Sequence, residues 1–143
     1  MEKSNGFTLI ELLITVAVVG VLAAIVYPVY TSSITKTHRR AAEACLSNYA
    51  SYMERFYTAN MRYDQDASGN ANTLPVFDCA STSNTGKDYS YTASTLSRTA
   101  YTLSATPVAG GAQASRDAAC GALTLNQAGT RGVGSTATVA DCW

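Results

Sequence analysis

The chain has 143 residues, with ten Lys plus Arg balanced by ten Asp plus Glu, so its formal net charge is zero and charge alone gives no warrant for a nucleic-acid or membrane-surface partner. Charged residues make up 14% of the chain, against roughly 25% in an ordinary soluble domain. The deficit falls in an apolar N-terminus and in a later half rich in Thr, Ser, Ala, Gly and Asn, which suits extracellular β-structure better than a cytosolic enzyme.

Residues 1–6, MEKSNG, are polar, and the small residue Gly6 precedes the apolar run. An ordinary secretory signal has its small-residue cleavage site after that run. From Phe7 to Tyr30 the chain is apolar, and ~24 residues at a rise of ~1.5 Å give ~36 Å, enough to span a bilayer. Glu11 interrupts the run. An acid at the centre of a spanning helix costs on the order of 2.5–3.5 kcal/mol. Either Glu11 sits near an interface, where it costs little, or it has a partner inside the bilayer or inside an assembly. Gly20 and Pro28 also lie in this stretch; both weaken a helix in water, and neither is excluded from a membrane helix. Further on, Ala42, Cys45, Leu46, Tyr49, Tyr52, Met53 and Phe56 recur at spacings of three and four and form one apolar stripe. Glu43 on the other face lies within reach of Arg39 and Arg40. The spacing predicts a helix ending between Tyr57 and Tyr63, of ~52 residues if continuous from the apolar run.

The stretch from Met61 to Asp88 is rich in Asp, Asn, Ser and Gly and reads as a long loop. YSYTAS from Tyr89 and AYTLSAT up to Thr106 alternate as strands, with LSRT between them able to turn a hairpin. VAGGAQASRDAA reads as a second loop, GALTLNQAG as a third strand, and TRGVGSTATVADCW as a Gly- and Thr-rich tail. The four cysteines, Cys45, Cys79, Cys120 and Cys142, form no C-x-x-C, and the closest two are 22 residues apart. Structural zinc sites usually have ligand pairs two to four residues apart. Disulfides are therefore expected over zinc or free thiols, which places this part of the chain outside the cytoplasm. Four cysteines allow three pairings. The single histidine, His38, beside Arg39 and Arg40, supports no catalytic triad and reads as a solvated helix residue. The piece DQDASGN from Asp64 lacks the closing glutamate of a calcium loop. Neither a catalytic site, a cofactor nor a metal is expected.

The combination of a short polar leader, Gly6, then Phe7-Thr8-Leu9-Ile10-Glu11 and a long apolar run resembles the class III leader of type IV pilins. The run MERFYTAN, the stretch CGALTLNQAGTRG and the final CW are similar to the PilE-like subset of type IVa pilins. The resemblance implies that a prepilin peptidase cuts between Gly6 and Phe7 and methylates the new amino group of Phe7. It implies that Glu11 neutralises that amino group, on its own chain or a neighbour's, during assembly. It also implies the pairings Cys45–Cys79 and Cys120–Cys142, the second closing the C-terminal region. The implied fold is α+β: a long N-terminal helix with an antiparallel sheet of about four strands on its C-terminal half. The implied organisation is a leader at 1–6, a transmembrane and filament-core segment at 7–30, and a helix half plus globular domain at 31–143. The implied function is a structural subunit of a type IV pilus, serving adhesion, twitching motility or DNA uptake. The alternatives are a type II secretion pseudopilin, or a pilin-anchored adhesin or DNA-binding minor subunit. Implied partners are further copies or other pilins in a helical filament, prepilin peptidase, the assembly machinery and, before assembly, the inner membrane with the globular domain in the periplasm. The positive-inside rule, comparing Lys3 with Lys36, His38, Arg39 and Arg40, points the other way. The cysteines and the resemblance outweigh it, and the basic cluster reads as solvated helix surface or subunit contact. Gly20 and Pro28 imply that the stretch between them loses helical hydrogen bonds on assembly.

Overall fold

A computed structural model describes residues 7–143; the leader expected over 1–6 lies outside the described residues. The chain divides into two units, Met1–Ile34 and Thr35–Trp143. Helix α1, Leu9–Asn60, supplies the described helix of the first unit and opens the second. Among the described residues of the first unit nothing builds a core: every residue from 7 to 30 is exposed.

In the second unit the stripe is used as its spacing predicts. Ala42, Cys45, Leu46, Tyr49 and Met53 are buried, while Tyr52 and Phe56 pack at the margin. The helix stops at Asn60 because Met61 turns left-handed, φ 55°, and sends its N–H back to the Tyr57 carbonyl at 2.7 Å, the usual way to satisfy a last-turn carbonyl. Strands β1 (Tyr89–Ser94), β2 (Thr102–Pro107), β3 (Leu123–Asn126) and β4 (Arg131–Val133) form one antiparallel sheet in sequence order. The register pairs Ala93 with Leu103, Leu103 with Leu125, and Leu123 with Val133. Alternation then sends Tyr89, Leu103, Ala105 and Leu123 into the core and leaves Ser90, Thr92 and Ser94 outside. Each fully buried Leu or Met stabilises the fold by about 1.5–3 kcal/mol relative to exposure. Gly132 in β4 lies close under Thr124: a Cβ there would meet Thr124 Oγ1 at 2.5 Å unless that hydroxyl turned away.

Two segments and one side chain differ from expectation. The second loop contains helix α2, Ala112–Arg116. Five residues are too few for a 3.6-residue signal, and α2 owes its place to Gln113, buried, whose amide donates to the Thr35 carbonyl at 3.1 Å. The tail contains β4 and helix α3, Val139–Cys142, the latter started by a closed capping box of Thr138 and Asp141. His38 is half-buried and paired with Asp88, Nδ1 to Oδ2 at 2.9 Å, instead of free in solvent.

Candidate assembly site

The N-terminal site is built on the first turn of α1. Phe7 is 78% exposed, and the side chains from Leu9 to Tyr30 point outward on all sides of the helix. A helix apolar all round needs a lipid or protein surrounding. Glu11, in the first turn, is the one acid between Leu9 and Tyr30. The Thr8 hydroxyl accepts the Glu11 N–H at 3.3 Å. Gly20 has open space where a Cβ would stand. Pro28 lies inside the helix, and the Thr31 hydroxyl donates to the Pro28 carbonyl at 3.0 Å.

In the second unit the disulfides Cys45–Cys79 and Cys120–Cys142 tie the long loop to α1 and close the tail. The basic cluster at the start of this unit is not all solvated surface, which corrects the expectation for Arg39. Arg39 is 8% exposed; its guanidinium donates to Asp117 Oδ1, to Cys120 Sγ at 3.0 Å and to the Asp141 carbonyl at 3.4 Å. Asp117, 4% exposed, also accepts from the Tyr89 hydroxyl at 3.1 Å and the Gln113 amide at 3.2 Å. This network seats α2 and the C-terminal disulfide on α1. Burial, more than the nearby Asp117 charge, pushes the Tyr89 hydroxyl well above its ordinary range. A second cluster joins the Glu54 carboxylate to the hydroxyls of Tyr63 and Tyr101, each with a contact of 3.1 Å. Burial, reinforced by Glu54, raises Tyr63 to about 12. Glu43 titrates above the usual carboxylate range because burial outweighs the pull of Arg40, Arg39 and Arg131.

These contacts sort the charges. Asp117 and Asp64 are in ion pairs with Arg39 and Arg62, Asp88 contacts His38 Nδ1, and Glu54, Asp66, Asp78 and Asp141 accept hydrogen bonds from neighbouring groups. Asp66 in the DQDASGN piece spends both oxygens on Ser68 and Asn70 of its own loop. Lys36, Arg40, Arg55, Lys87, Arg98 and Arg116 remain exposed, and Arg131 lies 5.0 Å from the centre of the Trp143 ring. Among the described residues Asp117 is the one buried acid, and the other acids make their bonds at or near the surface. One groove, ≈ 620 Å³, runs along the small side chains Ala41, Ala44 and Ser51 of α1, opposite Phe77 and Thr85.

The sequence reading missed two participants. Thr8 was legible, since Thr-x-x-Glu before an apolar run is a helix-start pattern. Asp117 was not, because nothing local marks a carboxylate 78 residues from its arginine.

Residues 1–27 match the family model described as "Prokaryotic N-terminal methylation motif". Residues 28–124 match that of "Type IV minor pilin ComP, DNA uptake sequence receptor". The chain is 53% identical over 36 residues to fimbrial protein EcpB of Eikenella corrodens, covering 25% of this chain and 23% of that one. It is 51% identical over 37 residues to the type IV major alpha-pilin of Moraxella bovis, covering 26% and 23%. To the type IV wide pilus major component PilA4 of Thermus thermophilus it is 32% identical over 63 residues, covering 44% and 48%. The chain therefore spans about a quarter of the length of the first two relatives and about half of the third. A type IV pilin from Shewanella oneidensis, 22% identical, superposes with a TM-score of 0.51 over 76% of this chain and 97% of that one, and so shares the fold. With the minor-pilin model matching more than half of its residues, the chain belongs to the type IV pilins, in the family that carries the ComP description.

Proposed function

We propose that this chain is a structural subunit of a type IV pilus, made as a membrane-held precursor, cut between Gly6 and Phe7, methylated at Phe7 and assembled into an extracellular filament. The observation that carries this is the first unit: an apolar helix with no core of its own, holding one carboxylate near its start. Before assembly the bilayer surrounds it; afterwards other subunits do. The two disulfides support placing the second unit on the oxidising side of the membrane. Intact-mass measurement of sheared surface filaments tests the reading. The expected mass begins at Phe7 and carries one methyl group; a mass that includes residues 1–6 rejects the processing step.

Gly20 and Pro28 fit this role. Pro28 gives no N–H to the Ala24 carbonyl, and Gly20 costs roughly 1 kcal/mol of helix stability relative to Ala. In a bilayer nothing replaces a lost backbone bond, so the isolated subunit keeps its helix. In a filament, neighbouring chains surround the stretch from Gly20 to Pro28 and permit it to extend. A filament reconstruction should show broken helical hydrogen bonds there; continuous helix rejects this step.

The family description favours a second reading, in which the second unit contacts DNA. The exposed bases Lys36, Arg40, Arg55, Lys87, Arg98 and Arg116 suit it, although acids and bases balance in number. Binding to duplex DNA, followed by fluorescence anisotropy, should weaken as salt rises, with a slope of about −0.9 per phosphate contacted. Replacing the exposed Arg98 with Ala should weaken binding and flatten the slope by about 1 if it meets a phosphate. Binding that ignores salt rejects this reading.

A further inference from the structure

The two sulfurs of the Cys120–Cys142 disulfide have different surroundings. Cys120 follows α2, where its own N–H and that of Gly121 both donate to the Asp117 carbonyl, at 3.1 and 3.0 Å. The Arg39 guanidinium donates to Cys120 Sγ at 3.0 Å, from the same nitrogen that bonds the Asp117 carboxylate. That carboxylate opposes a second negative charge beside it, but the Tyr89 hydroxyl and the Gln113 amide also donate to it. Cys142 lies in α3, which is four residues long and has Cys142 as its one buried residue. Thr138, Val139, Ala140 and Asp141 are exposed. The other disulfide has no such cation: Cys79 Sγ meets only the neutral Asn48 amide, at 3.9 Å.

We propose that the Cys120–Cys142 disulfide exchanges with thiols in one direction only: the thiol attacks Cys142, and Cys120 leaves as a thiolate held by Arg39. The attacking thiol gives its proton to water. Its sulfur bonds to Cys142 Sγ, the Sγ–Sγ bond breaks, and the electron pair stays on Cys120 Sγ. One disulfide replaces another, and no further oxidant or reductant is consumed. Closure is the reverse: the Cys120 thiolate attacks a mixed disulfide on Cys142 and expels the partner's thiolate. The partner is therefore a thiol–disulfide carrier that bonds to Cys142. Two effects agree on this direction. A better-stabilised thiolate leaves faster, and a guanidinium against the sulfur stabilises it. Both sulfurs are buried, so exchange waits for a local opening. A single-turn helix with one buried side chain opens more readily than the junction of α2 with α1, and its opening uncovers Cys142.

The test exposes the oxidised chain, in detergent, to reduced glutathione. Acid stops the exchange, N-ethylmaleimide caps free thiols, and peptide mapping locates each label. Glutathione on Cys142 with maleimide on Cys120 should exceed the reverse by about tenfold, the size of one hydrogen bond to a charged group. Arg39→Met/Asp117→Asn removes the cation together with the carboxylate it would orphan. Faster opening in that variant raises both adducts alike, so their ratio still reads the sulfurs. The ratio should fall at least about threefold, whereas Asp117→Asn alone, which keeps the cation, should hold or raise it. Labelling at Cys45 and Cys79 should keep its wild-type ratio in both variants. Equal adducts, an excess on Cys120, or a disulfide that glutathione never opens overturns the proposal. A ratio that the double variant leaves unchanged overturns the part given to Arg39.

Discussion

Glu11→Ala, as the sole copy of this chain, should give cleaved, folded and oxidised subunit that stays in the membrane, with few or no filaments outside. The membrane step should not suffer, because the substitution removes an insertion penalty from a segment otherwise apolar all round. Folding should not suffer either, since the core and both disulfides lie within Thr35–Trp143. The loss belongs to assembly. If the chain is cut before Phe7 as proposed, the cut creates an ammonium there, and burying it without its counter-charge costs about 3–5 kcal/mol per subunit. Immunoblots of membrane and sheared fractions, with intact mass to confirm processing, measure each step separately. If co-assembling pilins supply carboxylates of their own, the defect should shrink as they are supplied. Normal filament yield from Glu11→Ala alone would show that the carboxylate is incidental.

What was readable from the amino acids was what repeats locally. The stripe from Ala42 to Phe56 announces its helix by spacing, and the alternation in YSYTAS and AYTLSAT announces β1 and β2. Segments β4 and α3 are three and four residues long, too short to carry a period; β4 exists because β3 offers it hydrogen bonds, and α3 because Thr138 and Asp141 cap it. The site divides the same way. Glu11 stands out because a carboxylate in an apolar run is costly, whereas Arg39 looks like one more member of a basic helix face until the fold brings Asp117 to it. Charge misled for a related reason: the count is a sum over the chain, and only the fold shows that Arg39 is spent on the buried Asp117 and Arg62 on Asp64.

Arg39→Met should destabilise the second unit by about 3 kcal/mol, the lower part of the range for a broken buried ion pair. The lower part applies because Asp117 keeps two donors, the Tyr89 hydroxyl and the Gln113 amide, when the guanidinium is gone. What it loses is the only cation bonded to it among the described residues, at a site where the carboxylate is almost wholly buried. For a unit of this size the change should lower the melting temperature by about 12–24 °C. Circular dichroism of the detergent-held chain, with both disulfides intact, measures it. The cause is separable from lost packing by a second substitution. Asp117→Asn removes the orphaned charge while keeping an oxygen for Tyr89 and Gln113, so Arg39→Met/Asp117→Asn should be at least about 1–2 kcal/mol more stable than Arg39→Met alone. A double variant no more stable than the single one would mean that Arg39 contributes through its contacts with Cys120 and the Asp141 carbonyl, as packing under the C-terminal disulfide, and that the ion pair adds nothing.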